Sequence, residues 1–453
     1  MNTTLSAAAD MMHGKLHGPD RDFDGVSIDT RSLASGELFV AISGPNFDGR
    51  EFVAQAAGRG AAAAVVSKLT DTAISQIEVD DTRIALGQLG AAWRDQQDVR
   101  VVGITGSNGK TTLKELTAAC LSQAATTIAT HGNLNNDFGV PLMLSRIGSE
   151  HRYAVIEMGA NHAGEIAYLT SLAKPDVVAI TNAGAAHLEG FGSIKGVSRA
   201  KGEILQGEKR PAVAILNADD DYFDYWQSCA NDIQVISFGI ESKADVSAAD
   251  IVLRGDEAHF ELRLPSASMA IALPLAGIHN VRNACAAAAI ALALGVSAEQ
   301  IKRGLESVAP VSGRLQAVPG ANGATLYDDS YNANPLSVVA AGEFIASLPG
   351  RTWLLLGDMA ELGDDAKEMH RGVGAALRRA GVDRLAATGG LSTATVEAFG
   401  DGADWYPNVN ALLDAVLPQI GADDVVLVKG SRSMRMERVV DGLRAPQTMC
   451  KEA

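Results

Sequence analysis

The sequence has few cysteines, few aromatic residues and no long apolar run. The most apolar stretch, residues 284–294, is too short to span a bilayer, and the amino terminus lacks the basic and apolar regions of a signal peptide. No CxxC pair or metal-type spacing links the four cysteines, which are Cys120, Cys229, Cys285 and Cys450. These absences predict a cytoplasmic protein with reduced thiols and no membrane insertion.

Positive charge is scarce as well, with 38 Lys and Arg against 54 Asp and Glu and a net charge of -16. A nucleic-acid-binding surface needs a basic footprint, so the composition argues against a nucleic-acid partner. Phosphate ligands remain compatible, because backbone N–H groups and a few basic side chains can bind them locally. The chain of 453 residues is too long for one core and predicts about three domains.

Short β-branched or apolar runs alternate with helix-forming segments along most of the chain. The alternation predicts an α/β fold with a small α/β domain at 1–84, a central mainly parallel sheet at 85–312 and a C-terminal Rossmann-like α/β domain at 313–453. Residues 245–275 alternate apolar and polar positions, which predicts a small antiparallel insert or edge sheet. Strands are predicted at 37–42, 61–66, 101–104, 153–156, 177–180, 212–216, 235–237, 325–327, 352–356, 384–387 and 425–428.

A phosphate-binding loop is predicted between the strand at 101–104 and the helix at 113–121. Its glycines allow backbone N–H groups to face phosphate oxygens, and the helix N-terminus adds a positive dipole end. Ile104 stands where the general G-x-x-x-x-G-K-[ST] pattern has its first glycine, and the alternative is a glycine-rich turn that binds nothing. The candidate residues are Gly106, Ser107, Asn108, Gly109, Lys110, Thr111 and Thr112.

Three later residues are candidates for a Mg-ATP site. Glu157 ends a predicted strand at the edge where open α/β sheets place their ligands, His187 lies in the loop after the next strand, and Lys201 follows in a polar stretch. Taken singly, each is more often a solvated side chain. Mg²⁺ prefers oxygen donors, so a histidine contact would be unusual.

The order of these motifs resembles the Mur ligase family, whose members are ATP-driven amide-bond ligases. The run 105–112, then Glu157-Met-Gly159, His187 and Lys201, is similar to that family's central domain, including its reduced glycine pattern. Further similar segments follow in order across essentially the whole chain, at 277–283, 313–314, 328–330 and 429–431. The resemblance implies that residues 1–84 bind a UDP-muropeptide, 85–312 bind ATP, and 313–453 bind the incoming substrate and close over ATP.

The resemblance also implies roles for individual residues. Thr111 and Glu157 would hold one Mg²⁺, while His187 and a carbamylated Lys201 would hold a second. Carbamylation requires a neutral amine, and so a lysine whose charge its site disfavours. The implied catalytic residues are Lys110, Glu157, His187, Lys201, Arg314 and Asp329. The implied ATP-binding residues are those of the phosphate loop together with Asn280, Asn283, Arg314 and Asp329.

Residues 132–142 and 329–335, with 357–363 beyond them, are similar to the branch of the family that adds D-alanyl-D-alanine to UDP-N-acetylmuramoyl-tripeptide through an acyl phosphate. Phe138 departs from the aliphatic residue usual there, and no DNPR motif of the diaminopimelate-adding branch is found. Surface turns are the alternative for the amino-terminal positions. The implied substrate-binding residues are Thr30, Arg31, Asn46, Arg50, Asn133, Asn135, Asn136, Tyr331, Asn332, Asn334, Lys429 and Ser431.

Two other functions stay open from the sequence. A folylpolyglutamate synthase shares the phosphate loop and the ligation chemistry but would lack the first 84 residues and the segment Asn332-Ala-Asn-Pro335. A nucleotide-dependent switch would use the same loop to hydrolyse ATP without joining substrates. A monomer is expected.

Overall fold

The structure is a computed structural model that describes residues 1–44 and 47–445. Within these ranges the strands form three larger sheets and one two-stranded pair. None of the helices described there combines the length and apolar character needed to cross a bilayer. The α/β class predicted from the sequence is confirmed.

The amino-terminal part contains a five-stranded sheet in the order β2-β7-β6-β5-β4, in which β4 to β7 are parallel and β2 is antiparallel. The Asp81 carboxylate starts α3 by accepting hydrogen bonds from the backbone N–H groups of Arg83 and Ile84. The elements are β1 Thr3–Thr4, α1 Leu5–Met11, β2 Lys15–His17, β3 Asp22–Phe23, β4 Val26–Ser27, β5 Leu38–Val40, α2 Val53–Gly58, β6 Ala63–Val66, β7 Ser75–Glu78 and α3 Thr82–Asp95.

The central part is built on a nine-stranded sheet in the order β16-β15-β14-β13-β12-β11-β8-β10-β9 within the described ranges. The elements are β8 Arg100–Thr105, α4 Lys110–Ser122, β9 Thr127–Ala129, α5 Gly139–Ser145, β10 Tyr153–Glu157, α6 Glu165–Ala173, β11 Val177–Ile180, α7 Leu188–Phe191, α8 Ile194–Gly202, β12 Val213–Asn217, α9 Phe223–Cys229, β13 Gln234–Gly239, β14 Val246–Arg254, β15 Glu257–Leu264, β16 Ala267–Leu273, α10 Ile278–Ala293 and α11 Ala298–Glu306.

Both faces of the central sheet are buried under helices, and the side chains of β8 alternate between them. Val102 and Ile104 pack into the cluster that contains Leu113 of α4, while Val101 packs into the opposite cluster with Leu169 of α6. Period-2 alternation with apolar residues on both sides is what a parallel strand covered on both faces requires.

Strands β14, β15 and β16 form the predicted antiparallel insert and extend the central sheet at one edge. Helix α11 covers the outer side of β16. The Lys302 ammonium donates to the carbonyl oxygen of Ala270 at 2.5 Å and to the Glu306 carboxylate at 2.6 Å, and that carboxylate accepts the backbone N–H of Ala272 at 3.1 Å. Two backbone groups of this edge strand, the carbonyl oxygen of Ala270 and the N–H of Ala272, are therefore engaged by side chains of α11.

The C-terminal part has a six-stranded sheet, β17-β18-β22-β19-β20-β21, in the described residues. Only β17 is antiparallel to its neighbour in this sheet. The elements are β17 Gln316–Pro319, β18 Thr325–Asp329, α12 Pro335–Ala346, β19 Arg351–Gly357, α13 Ala366–Ala380, β20 Arg384–Thr388, α14 Ser392–Phe399, β21 Ala403–Tyr406, α15 Val409–Val416, β22 Asp424–Lys429 and α16 Glu437–Leu443.

Each strand predicted from the sequence is present, with ends shifted by at most a few residues. The structure adds β1 to β4, β7, β9, β17 and β21, which the sequence pattern did not indicate. These strands are two to four residues long, too short for an alternating pattern to develop. Residue 84 falls within α3 and residue 312 between α11 and β17, and the division of ligands among three domains stays a prediction.

Candidate active site

One large cleft, with a volume of about 900 Å³, lies between the central and C-terminal sheets. The carboxyl ends of the parallel strands β10, β8, β11 and β12 open into it from the central sheet, and β18 and β22 open into it from the C-terminal sheet. Loops at the carboxyl edge of an open α/β sheet are the usual place for a ligand. Most of the residues predicted as site residues line this cleft.

The phosphate loop joins β8 to α4 and is held in shape by β11 and the loop after it. The backbone N–H of Ser107 donates to the carbonyl oxygen of Asn182 at 3.0 Å, and the Thr181 hydroxyl donates to the carbonyl oxygen of Asn108 at 2.6 Å. Gly106 has φ 145°, and a Cβ at this position would lie 1.8 Å from the Thr181 hydroxyl oxygen. Glycine is therefore required by both the backbone conformation and the close approach.

The Lys110 side chain lies over the loop, and its ammonium donates to the carbonyl oxygens of Gly106 at 2.7 Å and Ser107 at 3.3 Å. Desolvation lowers the pKa of Lys110, the nearby Arg314 adds to this effect, and the Glu157 carboxylate opposes it. A lysine at this point of a phosphate loop is placed to contact the terminal phosphates of a nucleotide.

Glu157 ends β10 and is only 2% exposed. One of its carboxylate oxygens accepts from the Thr111 hydroxyl at 2.8 Å and the other from the Asn135 amide at 2.7 Å. The Arg314 guanidinium donates to the same Thr111 oxygen at 2.8 Å, across the two domains. A hydroxyl and a buried carboxylate side by side at a phosphate loop form the oxygen-donor pair that suits Mg²⁺ shared with a nucleotide.

Lys201 lies near the end of α8 and is only 1% exposed. Among residues 1–44 and 47–445 its amine has one weak hydrogen-bond partner, the carbonyl oxygen of Ala160 at 3.5 Å, and it lies 5.1 Å from the centre of the Phe191 ring. Burial lowers the pKa of Lys201 to about 7, and the charge of Lys110 contributes. A large share of this amine is therefore neutral near pH 7, which is the form that reacts with CO₂.

His187 begins α7 with φ 54° and forms a hydrogen bond through Nδ1 with the carboxylate of Glu361, which lies in the C-terminal part. Burial lowers the pKa of His187, Lys110 and Lys201 lower it further, and Glu361 opposes them. Within residues 1–44 and 47–445, no three His, Cys, Asp or Glu side chains converge to form a metal site. The pairing of His187 with a carbamylated Lys201 at a second metal ion stays a prediction.

Asn280 and Asn283, on the first turns of α10, line the cleft beside the phosphate loop. The Asn280 amide donates to the carbonyl oxygen of Ala276 at 2.8 Å, and the Asn283 amide donates to Asn280 at 3.3 Å. The Asn283 side chain also lies close to Gly109, where a Cβ would approach it to 2.7 Å. Asn283 is therefore held against the phosphate loop, and Asn280 is held beside Asn283 in the wall of the cleft.

One side-chain contact here joins the C-terminal residues to the central ones, and the others lie within the C-terminal part. The Asn334 amide donates to the Asn108 amide oxygen at 2.7 Å. The Arg314 guanidinium stacks 4.4 Å from the centre of the Tyr331 ring. The Lys429 ammonium donates to the Asp329 carboxylate at 2.6 Å and to the carbonyl oxygen of Asn332 at 3.0 Å. Lys429 is 3% exposed and forms a buried ion pair in the C-terminal wall of the cleft.

The remaining predicted substrate residues fall into two groups. Asn133, Asn135, Asn136, Tyr331, Asn332, Asn334 and Ser431 line the cleft, where amide groups can both donate and accept. Thr30, Arg31 and Arg50 do not line it. Arg31 and Arg50 each pair with the aspartate two residues before, Asp29 or Asp48, and Thr30 donates to Gln55. Asn46 lies outside the described residues.

The cleft also contains residues that the sequence did not single out as site residues. Asp219 accepts hydrogen bonds from the Arg282 guanidinium and from backbone N–H groups at 240–242, which builds one end of the cleft. Burial lowers the pKa of His279 to about 4. Asp219 lies two residues after β12, so its position after a buried parallel strand was the available signal. Glu361 lies within the 357–363 segment.

Family models match three stretches of the chain in order. They are the catalytic domain of the Mur ligase family at residues 22–94, the Mur ligase middle domain at 104–291 and the Mur ligase glutamate ligase domain at 313–432. The UDP-N-acetylmuramoyl-tripeptide--D-alanyl-D-alanine ligase of Escherichia coli (strain K12) is 44% identical over 447 residues, covering 98% of this chain and 99% of that protein. The ligase of the same name from Bacillus subtilis (strain 168) is 34% identical, covering 97% and 98%.

Solved structures show the same architecture. A crystal structure of MurF from Acinetobacter baumannii superposes with a TM-score of 0.92 at 39% identity, covering 97% of this chain and 98% of that one. A MurF ligase from Thermotoga maritima in complex with ADP gives a TM-score of 0.83 at 27% identity, covering 92% and 96%. With these matches across nearly its whole length, the chain belongs to the Mur ligase family.

Proposed function

We propose that this protein uses ATP to join D-alanyl-D-alanine to UDP-N-acetylmuramoyl-tripeptide, giving UDP-N-acetylmuramoyl-pentapeptide, ADP and phosphate. The observation that carries the proposal is the cleft in which the phosphate loop faces the asparagine-rich segment around Asn334. Relatives that bear the name of this reaction align with nearly the whole chain, which supports the same conclusion.

The first step is phosphoryl transfer. The terminal carboxylate of the tripeptide attacks the γ-phosphorus of ATP, an O–P bond forms, and the bond to the β,γ-bridging oxygen breaks so that ADP leaves. Lys110 lies over the phosphate loop and Arg314 donates to the Thr111 hydroxyl, so both positive groups would neutralise charge on the transferring group. Such transfers depend mainly on positioning and electrostatic stabilisation, which this part of the cleft supplies.

Bound Mg²⁺ would neutralise phosphate charge and orient the oxygens of the reacting groups. Thr111 and Glu157 would hold one ion, and His187 with carbamylated Lys201 would hold a second. To form this carbamate, the neutral Lys201 amine attacks the carbon of CO₂, an N–C bond forms as one C=O π bond opens, and one proton is released from the nitrogen. The buried, nearly unpartnered amine of Lys201 supports this part of the proposal.

The second step forms the amide. The neutral amine of D-alanyl-D-alanine attacks the acyl phosphate carbonyl, a C–N bond forms, the bond to the phosphate oxygen breaks, and a proton leaves the nitrogen. The contacts between Arg314 and Thr111 and between Asn334 and Asn108 hold the two parts together over the reacting groups. Closure excludes water, which would otherwise hydrolyse the acyl phosphate.

The three parts of the chain would then divide the ligands. Residues 1–84 would bind the UDP end of the muropeptide, 85–312 would bind ATP, and 313–453 would present the dipeptide. Arg31 and Arg50 would have to exchange their aspartate partners for diphosphate oxygens to take part. Asn280 and Asn283 would lie near the base of ATP.

The experiment that tests the function measures phosphate release from ATP with UDP-N-acetylmuramoyl-tripeptide and D-alanyl-D-alanine supplied singly and together. We expect release only with both, and a product heavier than the tripeptide nucleotide by the dipeptide less water. Release with the tripeptide nucleotide and a free amino acid, but not the dipeptide, would assign a different ligase reaction. Release independent of both peptides would contradict ligation and leave a nucleotide-dependent switch.

The modified lysine has its own test. Lys201→Ala is expected to lose most ligase activity and to regain part of it when short carboxylic acids are added, because these can replace the carbamate. Lys195→Ala, which removes an exposed lysine from the same helix, is the control and should need no addition. Full activity of Lys201→Ala without additives would contradict the role.

A further inference from the structure

A hydrogen bond between His187 and Glu361 links the central and C-terminal parts beside the cleft. Both residues have positive φ, 54° and 61°, although neither is glycine. Non-glycine residues keep this backbone conformation only where their surroundings hold them there, and such positions concentrate at functional sites. The pairing of two such residues across a domain boundary points to a role beyond packing.

The Glu361 side of the contact is rigidly supported within the C-terminal part. The backbone N–H of Ala360 donates to the Ser431 hydroxyl at 2.7 Å, and that of Met359 donates to Nε2 of His370 at 3.0 Å. His370 is fully buried, and its other ring nitrogen bonds to the carbonyl oxygen of Ala366 at 2.7 Å. The two residues before Glu361 are thus bonded to Ser431 and His370, while the Glu361 side chain itself is 51% exposed.

The His187 side of the contact leads directly to Lys201. The carbonyl oxygen of His187 accepts the backbone N–H of Phe191 at 3.1 Å, and the Phe191 ring lies against the Lys201 amine. The carbonyl oxygen of Glu361 in turn accepts the backbone N–H of Glu189 at 3.3 Å. The segment 187–191 is therefore bonded to the C-terminal loop at two points while it packs on the lysine.

Apolar contacts reinforce the same boundary. Met369 of α13 packs against the small cluster formed by Ala185, Leu188 and Val197 of the central part. The contact of His187 with Glu361 therefore forms together with packing and backbone hydrogen bonds, and all of them depend on the C-terminal part being in place.

We propose that Glu361 is a positioning residue that accepts the Nδ1–H of His187 and so fixes the ring tautomer in which Nε2 keeps its lone pair for a metal ion. Histidines that bind metals commonly donate their other ring N–H to a carboxylate or carbonyl, which orients the ring. Here that acceptor comes from a different domain than the histidine. Domain closure and completion of the second metal site are then one event.

This inference rests on the metal role of His187 in the proposed function, but its first test needs no metal. The ring nitrogens of His187 are observed by NMR in metal-free protein labelled with ¹⁵N-histidine, with the signals assigned from a His187→Asn variant. We expect the wild type to show Nδ1–H only, and Glu361→Ala to show a mixture of tautomers. Glu189→Ala removes a neighbouring exposed carboxylate and should match the wild type.

The second test measures the Mg²⁺ concentration for half-maximal ligase velocity. Glu361→Ala is expected to raise it about 10- to 100-fold, in the range found when such orienting partners are removed. Glu361→Gln keeps an acceptor oxygen at the same place and should restore part of the affinity, whereas a purely structural loss would not be restored by this variant. Glu189→Ala again serves as the control.

Two results would overturn the inference. One is an unchanged His187 tautomer in Glu361→Ala, and the other is an unchanged Mg²⁺ requirement despite loss of the fixed tautomer. If the wild type makes no pentapeptide product at all, the proposed function fails, while the NMR comparison still decides whether Glu361 orients His187. The two failures are therefore distinguishable.

Discussion

Replacement of Lys201 by methionine tests the buried amine through stability instead of activity. The pKa of Lys201 falls from its ordinary value of 10.5 to about 7 in the folded protein, mainly through burial. Since a tenfold change in proton affinity corresponds to about 1.4 kcal/mol, the charged amine costs about 5 kcal/mol in the folded protein relative to the unfolded chain. Methionine fills a similar volume without a charge, so Lys201→Met should stabilise the unmodified protein.

The sign of the pH dependence follows from which state binds the proton more tightly. Between pH 7 and 10.5 the unfolded chain keeps the proton on Lys201 and the folded protein releases it, so stability rises with pH through this window and the full penalty is reached below pH 7. Lys201→Met should therefore exceed the wild type by about 4 kcal/mol at pH 7 and by about 2 kcal/mol at pH 9.

The assay is denaturant-induced unfolding of both proteins in CO₂-depleted buffer at pH 7 and pH 9. Lys195→Met, on the exposed side of the same helix, is the matched control and should follow the wild type at both pH values. Addition of bicarbonate should stabilise the wild type but not Lys201→Met, because only the lysine can be carbamylated. Equal pH dependence of the wild type and Lys201→Met would refute the reasoning.

Three further changes have definite expected outcomes. Gly106→Ala places a methyl group 1.8 Å from the Thr181 hydroxyl oxygen, so kcat/KM should fall at least about 100-fold, and near-normal turnover would contradict the loop geometry. Arg314→Lys loses a fixed charged hydrogen bond across the domains and should lower kcat/KM about 10- to 100-fold, whereas wild-type kinetics would count against that contact. Burial raises the pKa of Cys120 and Cys285 to about 12, so a thiol reagent at pH 8 should leave both unmodified in native protein, and rapid labelling of either would argue against this burial.

Much of the central domain could be predicted because its signals are local. The strand at 101–104, the glycines at 106 and 109 and the following helix are consecutive in the sequence, and their backbone geometry depends on neighbours a few residues away. Glu157 could be predicted as a cleft residue for a related reason. It stands at the carboxyl end of a parallel strand, and open α/β sheets bind their ligands at that edge.

The cross-domain contacts could not be predicted in this way. Glu361 and His187 are 174 residues apart, and nothing in the pattern around either one specifies a partner in another sheet. The same holds for Arg314 on Thr111, a contact that exists only because two separately folded sheets turn their carboxyl edges toward each other. Contacts of this kind depend on domain packing, for which local propensity carries no information.

The predicted substrate-binding roles of Arg31 and Arg50 illustrate a different limit. Each arginine follows an aspartate by two residues, and the structure shows that each of these neighbours is bonded to the guanidinium. A conspicuous basic residue in a turn can be matched locally by its own segment, so its charge alone does not reveal whether it meets a ligand.

The ion pair on α11 has a consequence for how the central sheet ends. An edge strand normally offers a row of free N–H and C=O groups to which a strand of another molecule can add. On β16, the carbonyl oxygen of Ala270 and the N–H of Ala272 are already bonded to Lys302 and Glu306. An incoming strand would have to displace a charged pair from both positions, so this edge of the central sheet is protected at these two positions against the addition of another strand.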